Sequence, residues 1–396
     1  MSRRAPIAAA GLLAGLLASC ASPSEETFEG RAAWRLENDQ ISAVMLQAGG
    51  HLASLTRTGD EQPINPLWKP HWPSFEPRDF DRSGLPASPQ NRWLAATLGH
   101  AVSFDNWGLP TQSETDAGLQ FNGEAGLLQW ELLAWGPHSL RCRVEAPNAG
   151  VALRRTLRLV DSQPVLYFEE TAENLLPFDR AFGWVQNVQI GGPFLDSRTA
   201  VFDASATVGE IPSADSYTGT SWRRTNGETV SFRSFPDAES VSQRAWFRLD
   251  PAREISYVSA LDRNSGLLLI YVFFRRDFPW LIIEDENRNL PEPPWNEEGK
   301  VRSMQFGNTI IPGRALAYST RPSALGIPTH GVLSALGEQT TRYMAVLVSV
   351  EDGFDGVSDL RLDGEEIVVT PWSGEAALHI PYQPLYFDMA ELRGAL

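Results

Sequence analysis

Apolar and polar positions alternate with a period of two along much of this chain, the spacing of a strand with one buried face. In residues 151–160 the apolar Val151, Leu153, Leu157 and Leu159 are interleaved with Arg154, Thr156 and Arg158. Runs of strand length also lie at 41–46, 51–56, 127–135, 139–144 and 165–172, with Gly, Pro or Asn between them. Two further runs, 267–274 and 343–350, are almost continuously apolar and predict strands buried on both faces. No segment carries a long helical period, and the proline- and aromatic-rich stretch 60–89 predicts an ordered surface excursion. Together these elements predict an all-β protein, a large antiparallel sandwich with no linker to divide it.

Composition agrees with many short strands and turns: 13 Trp, 28 Pro and 32 Gly accompany 42% apolar residues, ample for a core. The N-terminus changes the picture more. Arg3 and Arg4 precede the apolar run 7–18, which as a helix would reach about 18 Å. That is too short for a bilayer core of roughly 30 Å, so the run predicts a signal peptide over 1–19. Its end, Leu17-Ala-Ser-Cys20, resembles the bacterial lipobox, which implies cleavage before Cys20 and acylation of its thiol. The resemblance further implies a lipid-anchored protein of the cell envelope, and Ala21 after the cysteine implies the outer membrane, facing the periplasm. Residues 20–33 then predict a flexible tether, with the folded domain over 34–396.

Losing Arg3 and Arg4 with the signal takes the net charge from −16 to −18. Such a field disfavours nucleic acid and direct docking on anionic lipid as partners. With Cys20 acylated, Cys142 is left without a disulfide partner and, in an alternating run, predicts a buried strand residue. The six histidines are scattered without paired ligand spacing, so no metal site is expected, and no phosphate-cradling glycine motif or other cofactor signature occurs.

Several short blocks occur in a telling order. They are Gly-Gly-His-Leu-Ala-Ser-Leu at 49–55, Asn-Pro-Leu-Trp at 65–68, Gly-Leu-Gln-Phe-Asn-Gly-Glu at 118–124 followed by Trp130, and the glycine- and aromatic-rich 182–195. Pro-Pro-Trp at 293–295 and Arg-Ser-Met-Gln-Phe-Gly at 302–307 complete the series. In this order the blocks resemble the galactose mutarotase-like (aldose 1-epimerase) superfamily over roughly residues 34–350; residues 351–396 extend beyond the match. The resemblance implies a β-supersandwich and a carbohydrate ligand. It also implies acid-base chemistry: a glutamate takes the proton of the anomeric hydroxyl, one histidine protonates the ring oxygen, and a second helps hold the sugar.

At the positions matching those three groups the chain carries Asn122, Asn187 and Gln305. Each amide keeps hydrogen-bonding capacity while deleting the titrating group. General acid-base catalysis contributes about 10² to 10⁴-fold per group, so a site of amides is expected to hold a sugar with little turnover. Two other expectations stand beside it. One is an active epimerase using other acids, with His100 or Asp105 as stand-ins. The other is a polysaccharide hydrolase or lyase in which Glu124 and either Glu284 or Glu286 face one cleft about 5 to 10 Å apart. Trp107 and Trp295, each beside Gly or Pro, are candidate platforms for a pyranose, as is Trp184; any of them could equally be core. Turn-capping by the three amides is the plain structural alternative.

Overall fold

The computed structural model describes residues 26–210, 216–218, 221–223, 229–237 and 240–388. The expected signal peptide, Cys20 and the first part of the tether lie outside the described residues. The remainder of that tether differs from expectation, because Glu26–Phe28 and Arg31–Glu37 already pair as strands.

Among the described residues, twelve strands form one antiparallel sheet and eight form a second. Five strands near the middle of the larger sheet position the site: β1 (His100–Asp105), β2 (Arg180–Ile190), β3 (Val241–Leu249), β4 (Trp280–Asn287) and β5 (Lys300–Gly307). Their spatial order is β1-β2-β5-β4-β3. Alternate side chains divide this sheet's two faces. Phe104, Trp184, Val188, Ile190, Leu281, Ile283, Met304 and Phe306 point into the main core against the second sheet.

The double-sided burial expected from 267–274 has a concrete cause. All eight residues of Leu267–Phe274 are buried. One face joins the main core, and the other is covered by a three-stranded meander, Val357–Asp363, Glu366–Pro371 and Leu378–Pro381. Val357, Leu360, Ile367, Val369 and Ile380 are the covering side chains. Residues 351–388, which no block matches, therefore complete the core rather than trail from it. The strand expected over 127–135 starts later, at Glu131–Gly136. Before it, the amides of Leu127 and Leu128 donate to the Glu124 carbonyl, and the Trp130 indole donates to the Ala125 carbonyl, so 124–130 is a turn. Gly50, at φ +64°, lets that indole lie against the backbone where a Cβ would come within 2.6 Å of it. Cys142 is a buried strand residue, as its pattern indicates, and burial pushes its thiol up to about 12.

A buried polar hub joins the sheets. Glu170, fully buried on Val165–Asn174 of the second sheet, accepts from Arg155 Nε at 2.7 Å and from the Tyr343 hydroxyl at 2.8 Å. Its other oxygen accepts from the Trp184 indole and the Gln186 amide of β2, at 3.2 and 2.7 Å. His100 belongs to this hub, 3.0 Å from Gln186 Oε1 and 3.1 Å from the Tyr271 hydroxyl. Its expected part as a substitute acid is overturned: it sits on the core face of β1, out of reach of a ligand. Burial, chiefly, lowers its pKa to about 3, so it stays neutral.

The native state thus excludes a proton that the unfolded chain takes up near the ordinary histidine value of 6.5. Stability from this side chain is full above that pH and declines as pH falls towards 3, by about 1.4 kcal/mol per unit. Urea denaturation at pH 7 and pH 5 should show wild type losing about 2 kcal/mol more than His100→Gln. Parallel losses in the two proteins would refute this assignment.

Candidate functional site

The face of the sheet turned away from the main core carries the site. Register places Asn187 on β2 directly opposite Gln305 on β5. Gln305 is opposite Ile282 on β4; two residues along, Glu284 is opposite both Ser303 and, on β3, Arg244. Residues paired directly in antiparallel strands share a face, so these side chains rise together.

Their hydrogen bonds form a chain. Trp107 Nε1 donates to Gln305 Oε1 at 2.8 Å, and Gln305 Nε2 donates to Glu284 Oε2 at 2.5 Å. The other Glu284 oxygen pairs with the Arg244 guanidinium, which lies 5.6 Å from the centre of the Trp107 ring. Both ends of Gln305 are therefore taken by protein partners. This explains the amide: a carboxylate at 305 would meet Glu284 with two like charges, whereas Gln presents a donor to Glu284 and an acceptor to Trp107. Asn187 donates to Ser103 Oγ at 2.7 Å, leaving its Oδ1 without a partner among the described residues. Gln305 and Asn187 are 3% and 5% exposed, while the Glu284 and Arg244 side chains are 26% and 47% exposed. The solvent-facing polar edge is thus the ion pair, with the amides beneath it.

Asn122 reaches this group indirectly. It adopts φ +58° in a turn, its Oδ1 accepts from the Gly108 amide at 2.7 Å, and its own amide donates to the Gly108 carbonyl at 3.1 Å. It clamps the segment that carries Trp107, a turn role of the kind weighed for all three amides. On the other side Gly313 donates to the Trp107 carbonyl at 2.7 Å, so the indole is held from both flanks.

The remaining acids are occupied elsewhere. Glu124 accepts from Asn148 Nδ2 at 2.9 Å and from the Ala149 amide at 2.8 Å; burial raises its pKa against those bonds. Glu286 accepts from the Asn289 and Leu290 amides at 2.6 and 3.0 Å and from the Ser242 hydroxyl, fixing the loop after β4. Each holds a loop, and neither joins the bonded chain around Glu284. Asp105, at φ +79° and 1% exposed, is ion-paired to Arg180 and Arg314; burial raises its pKa while the two guanidinium groups oppose the shift.

Of the tryptophans, Trp184 and Trp107 are core, 1% and 4% exposed, so neither is the open platform for a pyranose that its place in the sequence suggests. Trp295 stands at the other end of the face from Trp107, stacked on Trp68 with centroids 5.8 Å apart and edge-on to Trp72 at 5.0 Å. Sequence reasoning missed Arg244, Ser103, Trp68 and Trp72 as neighbours of the candidate residues. Arg244, Trp246 and Arg248 do alternate along β3, but nothing in the sequence says that β3 lies beside β4.

No family sequence model and no curated protein sequence matches the chain. Solved structures do. A candidate aldose 1-epimerase from Klebsiella pneumoniae is 13% identical with a TM-score of 0.56, covering 81% of this chain and 80% of its own. A galactose mutarotase related enzyme from Lactobacillus acidophilus is 13% identical with a TM-score of 0.54, covering 81% and 98%. A galactose mutarotase-like protein from Clostridium acetobutylicum is 12% identical with a TM-score of 0.54, covering 82% and 98%. The chain has the galactose mutarotase-like fold, as its blocks and strand pattern indicate.

Proposed function

We propose that the protein binds a carbohydrate on the face formed by β1, β2, β5, β4 and β3, and does so without epimerising it. The carrying observation is the cross-strand pair Asn187–Gln305, in which Gln305 is bonded into one chain with Trp107, Glu284 and Arg244 and Asn187 keeps beside it an Oδ1 that is free among the described residues. Asn187 Oδ1 offers an acceptor and Glu284 with Arg244 an acceptor-donor pair, the polar groups that recognise sugar hydroxyls, while the buried Trp107 holds Gln305 in place from below. An enzyme of the implied type needs an acid as well as a base. Among the described residues Glu284 is the one titratable acid bonded to the amide pair, and no histidine joins it.

A second reading follows from that carboxylate. Glu284, 2.5 Å from the amide that replaces the expected glutamate, could act as a relocated base in slow anomer exchange. We propose further that acylated Cys20 anchors the domain to a bacterial envelope membrane, most simply the outer membrane facing the periplasm, supported by the basic start, short apolar run and Leu-Ala-Ser-Cys end.

Cells expressing the full chain with a clickable fatty acid should label the protein, and Cys20→Ser should abolish the label; equal labelling would exclude the anchor. For binding, calorimetry against a panel of aldoses should find a ligand whose affinity falls at least about tenfold in Asn187→Leu, which removes the acceptor. An unchanged affinity in that variant would place the sugar elsewhere.

A further inference from the structure

We infer that the ligand is an oligosaccharide laid along β2, several sugar units long, with one unit at the amide pair and another against Trp72 and Trp295. This rests on the carbohydrate-binding reading and names the class of its ligand.

The geometry that carries it is the placing of the polar amide site and a half-open aromatic group at opposite ends of one face. At the first end, the Glu284–Arg244 pair and Asn187 lie over a buried cluster of Trp107, Val185, Trp280 and Tyr318. At the second, Leu67 pairs with Ile190 and points with it into the core, which turns Trp68 to the face that carries Asn187. Gly191 lies directly beneath, where a Cβ would come within 2.5 Å of the Trp68 ring. From Asn187 to Gly191 is four residues of extended chain, about 13 Å at roughly 3.3 Å each. That span exceeds one pyranose. Between the ends the floor is polar, with Asn187, Gln189, Ser303 and Glu284 on the same side of their strands.

A monosaccharide held by Asn187 and Glu284 would leave the open part of the Trp72–Trp295 group uncovered. Packing accounts for Trp68, which is 3% exposed and pins the 60–98 excursion to the sheet through its amide, 2.7 Å from the Gln189 carbonyl. Trp72 donates its indole N–H to the Leu94 carbonyl at 3.0 Å and Trp295 packs over Gly299, yet each keeps part of its surface open, beside the exposed His71 and Lys69. Half-open indoles with a polar rim, in line with a polar floor, suit a chain whose units alternate C–H faces and hydroxyls.

The test is a glycan array of neutral pyranoses carrying one to six units, followed by calorimetry on the best series with wild type, Trp72→Ala and Trp295→Ala. Trp72→Ala keeps the Trp68–Trp295 stack and guards against misfolding. Affinity should rise with length by at least about tenfold from one unit to four, and both variants should remove most of that gain while leaving the single sugar's affinity unchanged. Equal affinity for one and four units, or variants that weaken the single sugar as much as the chain, would overturn the inference and leave the binding reading intact. Failure to bind any sugar, of any length, would overturn both.

Discussion

The ion pair between Arg155 and Glu170 is the constraint on which the site's geometry depends. Both side chains are buried, so their desolvation must be offset by complete hydrogen bonding, and breaking such a pair costs about 3–5 kcal/mol. Glu170 meets that demand by recruiting the Trp184 indole and Gln186 of β2, while Arg155 also donates to the Gly50 carbonyl at 2.5 Å and lies 5.0 Å from the Trp130 ring. The strand that carries Asn187 is thereby fixed from its core face. Gln186 and Asn187 are neighbours with opposite duties: one completes the hub, the other lies on the sheet's opposite face beside Gln305.

Fixing β2 fixes the register of everything beside it. Asn187 lies opposite Gln305 only because β2 and β5 pair as they do, and Glu284 reaches Gln305 only because β4 pairs with β5 in that register. A slip of one residue would send all of these side chains to the core face. The amide at 305 then has a local electrostatic reason, since its neighbour Glu284 already supplies a carboxylate and Arg244 already balances it.

Much of the fold was legible in the sequence because strands announce themselves through alternation. The runs at 41–46 and 267–274 are strands with those bounds. The start of the sheet at Glu26 was not legible, because Ser and Glu in that stretch carry no apolar pattern while their pairing is made by backbone. Nor was the late start of the strand at Glu131, since Trp130 is apolar in sequence yet serves a turn. In the site, Asn187 and Gln305 could be named from their blocks, but their meeting is a matter of register, which no single strand encodes. Glu124 and Glu286 were plausible acids by residue type alone; their backbone partners, three to twenty-five residues away, show them holding loops. Arg244 was invisible because its role exists only across β3, β4 and the Trp107 loop.

The central claim is that this face has kept the means to hold a sugar and lost the means to move its protons. Anomer exchange spectroscopy on the sugar that binds tests it most directly, with wild type and Glu284→Gln compared against buffer. The account predicts exchange in both proteins at the uncatalysed rate. Acceleration by wild type, abolished in Glu284→Gln, would contradict it and make Glu284 a working base.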